Sequence, residues 1–221
     1  MEKILNLLDL ILISKEALTI DQCDMLIEEF KQREFDSEKE SSLNSQTGLL
    51  EEASYKTISL RPNTECFKIL HSATGKMITS WMRHLEEHDM YNTKLLKQSL
   101  KYSHDYRILK YSSGSKIHPH TDWDLFTIGS CSFILNNEFK GGDFYFFNGK
   151  NKISLNKGDA IIWPADCFWV HEVKEVIEGE RYCANSFLTC LPDDYVDEVF
   201  EKINRDMSDR EEGSPYLHEL N

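Results

Sequence analysis

The segment Ile117-His118-Pro119-His120-Thr121-Asp122 places two imidazoles and a carboxylate at alternate positions. Residues two apart in a strand share a face, so His120 and Asp122 can converge on one point. That pair is two-thirds of a 2-His-1-carboxylate triad, which holds Fe(II) on one face of an octahedron and leaves the other positions open. The second imidazole must come from another strand, and His171 in Phe168-Trp169-Val170-His171-Glu172-Val173 is the candidate. A lone histidine in such a run is more often a buried structural residue; the reading gains from Arg181, ten residues on, after the turn Glu178-Gly179-Glu180. A guanidinium there can bind a carboxylate bidentately. The set therefore has the spacing of an iron site with a dicarboxylate co-substrate. Register alone does not choose between His118 and His120, or between Asp122 and Asp124. The compact His-x-Asp chelate favours His120 and Asp122, and His118 is assigned to a solvated rim or the substrate side. Trp123 and Trp169 join it there. His71, His84, His88 and His104 lack partners at useful spacing and are assigned structural roles.

These residues need a rigid frame, and the composition allows one. The 221 residues are 40% hydrophobic, with 12 Phe, 9 Tyr and 4 Trp, so the chain has the means to bury a core. A net charge of −13 and the absence of any Lys/Arg run argue against nucleic-acid or anionic-membrane partners. The six cysteines form no Cys-x-x-Cys pair, which argues against a zinc ribbon or a thioredoxin-type motif. A disulfide scaffold is not needed at this length. The apolar start is interrupted by Glu2, Asn6 and Asp9, and no stretch approaches a membrane span. The expectation is a cytoplasmic protein.

The elements follow from periodicity. Leu7 to Ile13 reads as a short strand or a strand leading into a helix. Thr19 and Gln22 resemble a capping box ahead of a helix with Cys23, Leu26, Ile27 and Phe30 on one face. Asp36 to Gly48 is Ser/Glu/Lys-rich and reads as a mobile loop near 36–55. A second helix is expected from about Asn63 to His88, with an apolar stripe from Phe67 to Leu85. From Tyr106 the pattern becomes short β-rich runs, about eight strands, with turns at Asn148-Gly149 and Asn156-Lys157-Gly158-Asp159. Pro192-Asp193-Asp194 starts a short helix from about Tyr195 to Ile203. The expected fold is α+β, a double-stranded β-helix (jelly roll) core with N-terminal supporting helices and a short C-terminal helix. One domain spans 1–221, with helical support over 1–103, the core over 104–191 and a helix and tail over 192–221. Tyr111, Phe133, Trp169 and Phe187 are expected to line its interior.

With these pieces in order, the chain resembles a 2-oxoglutarate- and Fe(II)-dependent dioxygenase of the prolyl 4-hydroxylase type. The resemblance rests on Tyr111-Ser112-Ser113-Gly114 ahead of His120-Thr121-Asp122, the strand end Leu135-Asn136, and Gly141-Gly142-Asp143-Phe144. It continues through Lys157-Gly158-Asp159-Ala160-Ile161-Ile162 and His171-Glu172-Val173, to Gly179-Glu180-Arg181-Tyr182, covering roughly residues 104 to 191. It implies that His120, Asp122 and His171 bind iron, that Arg181 pairs with the distal carboxylate of 2-oxoglutarate, and that Tyr111 lies beside that co-substrate. Asn185 shares the inward face of Arg181 by alternation and is added to this set. Ile134 stands where the family often has Tyr, which removes a hydroxyl contact, and Arg181 where many members have Lys. The implied reaction consumes O₂ and 2-oxoglutarate, releases succinate and CO₂, and hydroxylates a C–H bond, with ascorbate as an accessory. The expected substrate is a prolyl residue of a protein or peptide. The alternatives are a free amino acid or small metabolite with the same chemistry, and a catalytically silent jelly-roll binding module.

Overall fold

The computed structural model describes residues 6–62, 64–88, 93–123, 126–190, 198 and 218–219. The chain opens with a 3-10 turn at Leu7–Leu10, whose Asn6 side chain accepts from the Leu8 amide at 3.0 Å. Strand β1 follows only at Leu12–Ser14, so Leu7 to Ile13 is not one strand. Helix α1 (Ile20–Gln32) has the expected reciprocal cap between Thr19 and Gln22 and buries Cys23, Leu26, Ile27 and Phe30.

The region read as a loop contains strands. Strands β2 (Ser41–Leu43) and β3 (Leu50–Glu52) form an antiparallel hairpin, and β4 (Lys56–Ser59) follows. Its stability comes from backbone pairing and polar side chains, not apolar burial. Ser45 N donates to Pro119 O at 2.7 Å, and Ser54 bonds both backbone groups of Lys116. Helix α2 (Glu65–Glu87) carries the predicted stripe, with Leu70, Met77, Trp81 and Leu85 buried. Helix α3 spans Thr93–Ser99.

The β unit comprises β5 (Leu100–Tyr111), β6 (Ile117–His120), β7 (Thr127–Ile134), β8 (Phe139–Gly141), β9 (Phe144–Phe146), β10 (Asn151–Ile153), β11 (Ala160–Pro164), β12 (His171–Val173), β13 (Val176–Gly179) and β14 (Arg181–Cys190). These are ten strands where about eight were expected. A large sheet runs β1-β11-β7-β14-β5, with β4 also pairing β5 and β15 (His218–Glu219) on its far side. A smaller sheet runs β10-β9-β12-β6. The turn between β9 and β10 occupies four residues, with Phe147, Asn148 and Gly149 all at positive φ. The sequence 195–203, read as a helix, lies outside the described residues apart from the helical, exposed Glu198.

Alternation along the large sheet sorts its side chains into two cores. Ile108, Phe133, Ile162, Ala184 and Leu188 face α1 and α2. Leu109, Ile134, Ile161 and Cys183, one residue away on the same strands, face the smaller sheet with Tyr111, Phe144 and Trp163. Phe133 therefore packs on the helices and not in the interior of the roll. The two layers meet through this second core, and the site lies within it.

Candidate metal centre and co-substrate cavity

Cross-strand register brings the triad together. His171 on β12 stands directly opposite His120 on β6, with ring centroids 4.3 Å apart. Asp122, two residues past His120, points one oxygen at each ring: Oδ1 is 3.5 Å from His120 Nε2 and Oδ2 is 3.4 Å from His171 Nε2. The three donor atoms all lie within 4.8 Å of one another. Each imidazole is oriented from behind. His120 Nδ1 lies 2.9 Å from His118 O, and His171 Nδ1 lies 3.0 Å from Trp169 O. A carbonyl only accepts, so each Nδ1 carries the proton and each Nε2 is left as an acceptor facing the shared point. Ser130 Oγ donates to Asp122 Oδ2 at 2.7 Å and fixes the carboxylate.

The charges suit a cation. Burial pushes His171 down to about 4, against the pull of Asp122, so the ring is neutral and able to ligate. Burial works against the Asp122 carboxylate, but the charge that either imidazole would carry once protonated, together with the Ser130 hydroxyl, holds it well below the usual carboxylate range. Two neutral nitrogens and one anionic oxygen are a donor set for a divalent transition metal with open positions.

Arg181 is 3% exposed and starts β14 opposite Tyr111, its guanidinium over the Tyr111 ring at 5.2 Å. Asn136 clamps the backbone on both sides of it, donating to Glu180 O and accepting from Tyr182 N, each at 2.8 Å. Gly142, at φ +62, leaves its path clear, since a Cβ there would lie 2.9 Å from Arg181 Cδ. Arg181 Nη1 donates to Cys183 Sγ at 3.2 Å, yet among the described residues no carboxylate lies within ion-pair distance. A buried guanidinium without a counter-ion is costly, and an anionic ligand relieves it.

One cavity connects these groups. It has about 490 Å³ of empty space including its mouth, and the triad, Tyr111, Arg181 and Asn185 all line it. Asn185 Oδ1 accepts from Ser132 Oγ at 2.8 Å. Among the described residues, two buried side-chain nitrogens have no hydrogen-bond partner, Arg107 Nε and Trp163 Nε1, and both residues line this cavity. Orphaned donors, an unpaired cation and a triad of metal donors together fit an iron and an acceptor-rich dicarboxylate.

The remaining expected residues lie elsewhere. His118 faces the hairpin and not solvent: its Nε2 is 2.9 Å from Ser42 Oγ and 3.1 Å from Ser42 O. Trp123, 58% exposed, borders an outer groove with Trp81 and Leu85, and buried Trp169 also lines that groove. Phe187 packs beneath Arg107 at 4.9 Å. Of the four aromatics expected inside, Tyr111 and Trp169 lie in the second core, and of these Tyr111 lines the cavity. Sequence reasoning missed Tyr55, Arg107, Ser130 and Trp163; alternation from Tyr111 back along β5 was a signal for Arg107.

Comparison with known proteins agrees. The sequence model of the 2OG-Fe(II) oxygenase superfamily matches residues 106–189, the span from β5 to β14. The chain matches no curated protein sequence. Among solved structures it is similar to a prolyl-4-hydroxylase from Pseudomonas putida, with a TM-score of 0.61 and 14% identity over 82% of this chain and 93% of that one. It is similar to the viral collagen prolyl hydroxylase of Paramecium Bursaria Chlorella virus-1, solved with 2OG, at 0.59 and 18% over 82% and 96%. A third is a prolyl hydroxylase from Trichoplax adhaerens in complex with a hypoxia inducible factor oxygen degradation domain peptide fragment, at 0.61 and 13% over 82% and 84%. At these identities the likeness is one of fold. The fold and the site define a non-haem iron dioxygenase that uses Fe(II), 2-oxoglutarate and O₂. Its β unit is a 2OG-Fe(II) oxygenase domain with the jelly roll of the prolyl 4-hydroxylases. No helix among the described residues is long and apolar enough to cross a membrane.

Proposed function

We propose that this dioxygenase hydroxylates a prolyl residue of a protein or peptide, with succinate and CO₂ as co-products, and that residues 1–221 act as one domain. The observation that carries the reading is the buried, counter-ion-free guanidinium of Arg181 in the cavity that holds the His120/Asp122/His171 triad. In this reading His120, Asp122 and His171 hold the iron, and Arg181 takes the distal carboxylate of 2-oxoglutarate in bidentate fashion. Iron and 2-oxoglutarate, when bound, would activate O₂, which is the oxidant. The chain positions and shields. Ser130 and the carbonyls of His118 and Trp169 hold the triad in register. Tyr111 and the inner core exclude water around the co-substrate. Asn185, tied to Ser132, lies on the inward face four residues beyond Arg181 and completes the polar side of the cavity. The six free cysteines fit work in the reducing cytoplasm. A prolyl substrate is favoured by the prolyl hydroxylases among the structural relatives.

The test is succinate release with Fe(II), 2-oxoglutarate and ascorbate across proline-containing peptides and free amino acids, followed by mass spectrometry for one added oxygen. Turnover of a peptide with oxygen on proline is the expected result. Turnover of free amino acids alone removes the peptidyl substrate and keeps the dioxygenase.

A further inference from the structure

Arg107 lies on β5 opposite Asn185 of β14 and is the second arginine lining the cavity. The backbone is built around it. The pairing of β5 with β14 shifts between Asn185 and Phe187, leaving Asp105 in a bulge at φ 55. A non-glycine residue in the left-handed region is strained, and bulges beside active sites re-aim side chains. Asp105 turns its carboxylate to Arg107 Nη1 at 3.0 Å. Glu40, at the base of the β2–β3 hairpin, bonds the same Nη1 and accepts from the Tyr55 hydroxyl at 2.5 Å. Phe187 supports the guanidinium from below. Of the five donors of this group, those on Nη1 are directed at the two acids. Nε is buried and, among the described residues, without a partner.

We propose that Arg107 is a specificity-determining residue that donates from its guanidinium to an uncharged oxygen of the substrate, a peptide carbonyl next to the hydroxylated residue. This rests on the peptidyl reading above. Charge selects the neutral acceptor. Two carboxylates surround one guanidinium, so the incoming free carboxylate of an amino acid meets Glu40 and Asp105 at short range and low dielectric. Arg181, with no acid beside it among the described residues, is the better place for a carboxylate. The same cavity thus separates an anionic co-substrate from an uncharged substrate by how each arginine is pre-neutralised.

The test uses proline-containing peptides acetylated at one end and amidated at the other, assayed by succinate release. The carbonyls flanking proline are replaced one at a time by thiocarbonyls, weaker acceptors of similar shape. In the native enzyme one replacement lowers kcat/KM about tenfold, mainly through KM. Arg107→Lys keeps the charge between the acids and loses Nε. It should lower kcat/KM for the unmodified peptide by a similar factor, and the same thiocarbonyl then costs nothing more, a non-additive cycle that a purely structural role does not produce. Glu40→Gln supplies an independent arm, since removing one acid should raise turnover of free-acid peptides relative to amidated ones. Additive penalties overturn the assignment and leave the peptidyl substrate standing. If Arg107→Lys does not fold, the absence of any thiocarbonyl effect in the native enzyme, or of any shift in Glu40→Gln, overturns it. Turnover of free L-proline with no peptide turned over overturns both readings.

Discussion

Arg181 and Arg107 enter the same cavity from neighbouring strands, one with no carboxylate beside it among the described residues and the other set between Glu40 and Asp105. An unpaired buried charge is a cost in the empty protein and becomes an asset once an anion arrives. A paired one is settled in advance, fixed in place, and left with donors to spare. Two residues of one type lining one cavity thereby differ in what each is ready to accept. The lesson is that a buried arginine is read from its neighbours before its position.

The largest effect removes the triad that shares the cavity with both arginines. His120→Ala, Asp122→Ala or His171→Ala should lose iron and reduce succinate release by more than the roughly 100-fold that loss of an outer partner costs. Metal content by elemental analysis checks the first and product assay the second. Full activity in all three variants ends the metal assignment.

Next comes a direct contrast of the arginines by urea denaturation of the metal-free protein. Arg107→Met should cost about 3–5 kcal/mol, because it leaves two carboxylates uncompensated. Arg181→Met should cost little or stabilise, because it removes a buried charge that has no partner among the described residues. Equal losses would erase the comparison.

Arg181→Ala should weaken 2-oxoglutarate by about 2–5 kcal/mol while iron stays bound. Arg181→Lys should be milder, keeping charge without the fork. Titration of the co-substrate at saturating iron separates the two.

The smallest effect lies away from both arginines and serves as a reference. Asp159 accepts from Lys15 Nζ at 2.6 Å and from the Asn156 amide at 2.8 Å. Burial acts to raise it, but these donors hold the carboxyl below its ordinary value. A depressed carboxyl stabilises the fold above its unfolded pKa of about 4 and loses that contribution as pH falls further. Asp159→Asn should therefore cost about 1 kcal/mol at neutral pH and nearly nothing in acid, measured by thermal melts across that range.

Much of this is legible in the sequence alone. The i, i+2 spacing of His120 and Asp122 needs only the strand period, and α1 and α2 follow from caps and a 3.6-residue stripe. The β2–β3 hairpin was not legible, because its strands alternate no apolar residues. It is held by His118 and Pro119 on β6, which are distant in sequence. Phe133 was misdirected by a single step of strand parity, which only register resolves. Arg107 was missed because its significance depends on Glu40, 67 residues earlier, and on a bulge that no residue type announces.

The indole of Trp163, 5.1 Å from the His171 ring, gives the centre an optical signature. Of the four tryptophans, it is the one lining the cavity. A metal with a partly filled d shell held by that imidazole offers the excited indole a route to shed its energy, whereas d¹⁰ zinc offers none. Emission from the protein should therefore dim with Fe(II) or Co(II) and stay bright with Zn(II), so that the arrival of the metal can be followed by light without any label.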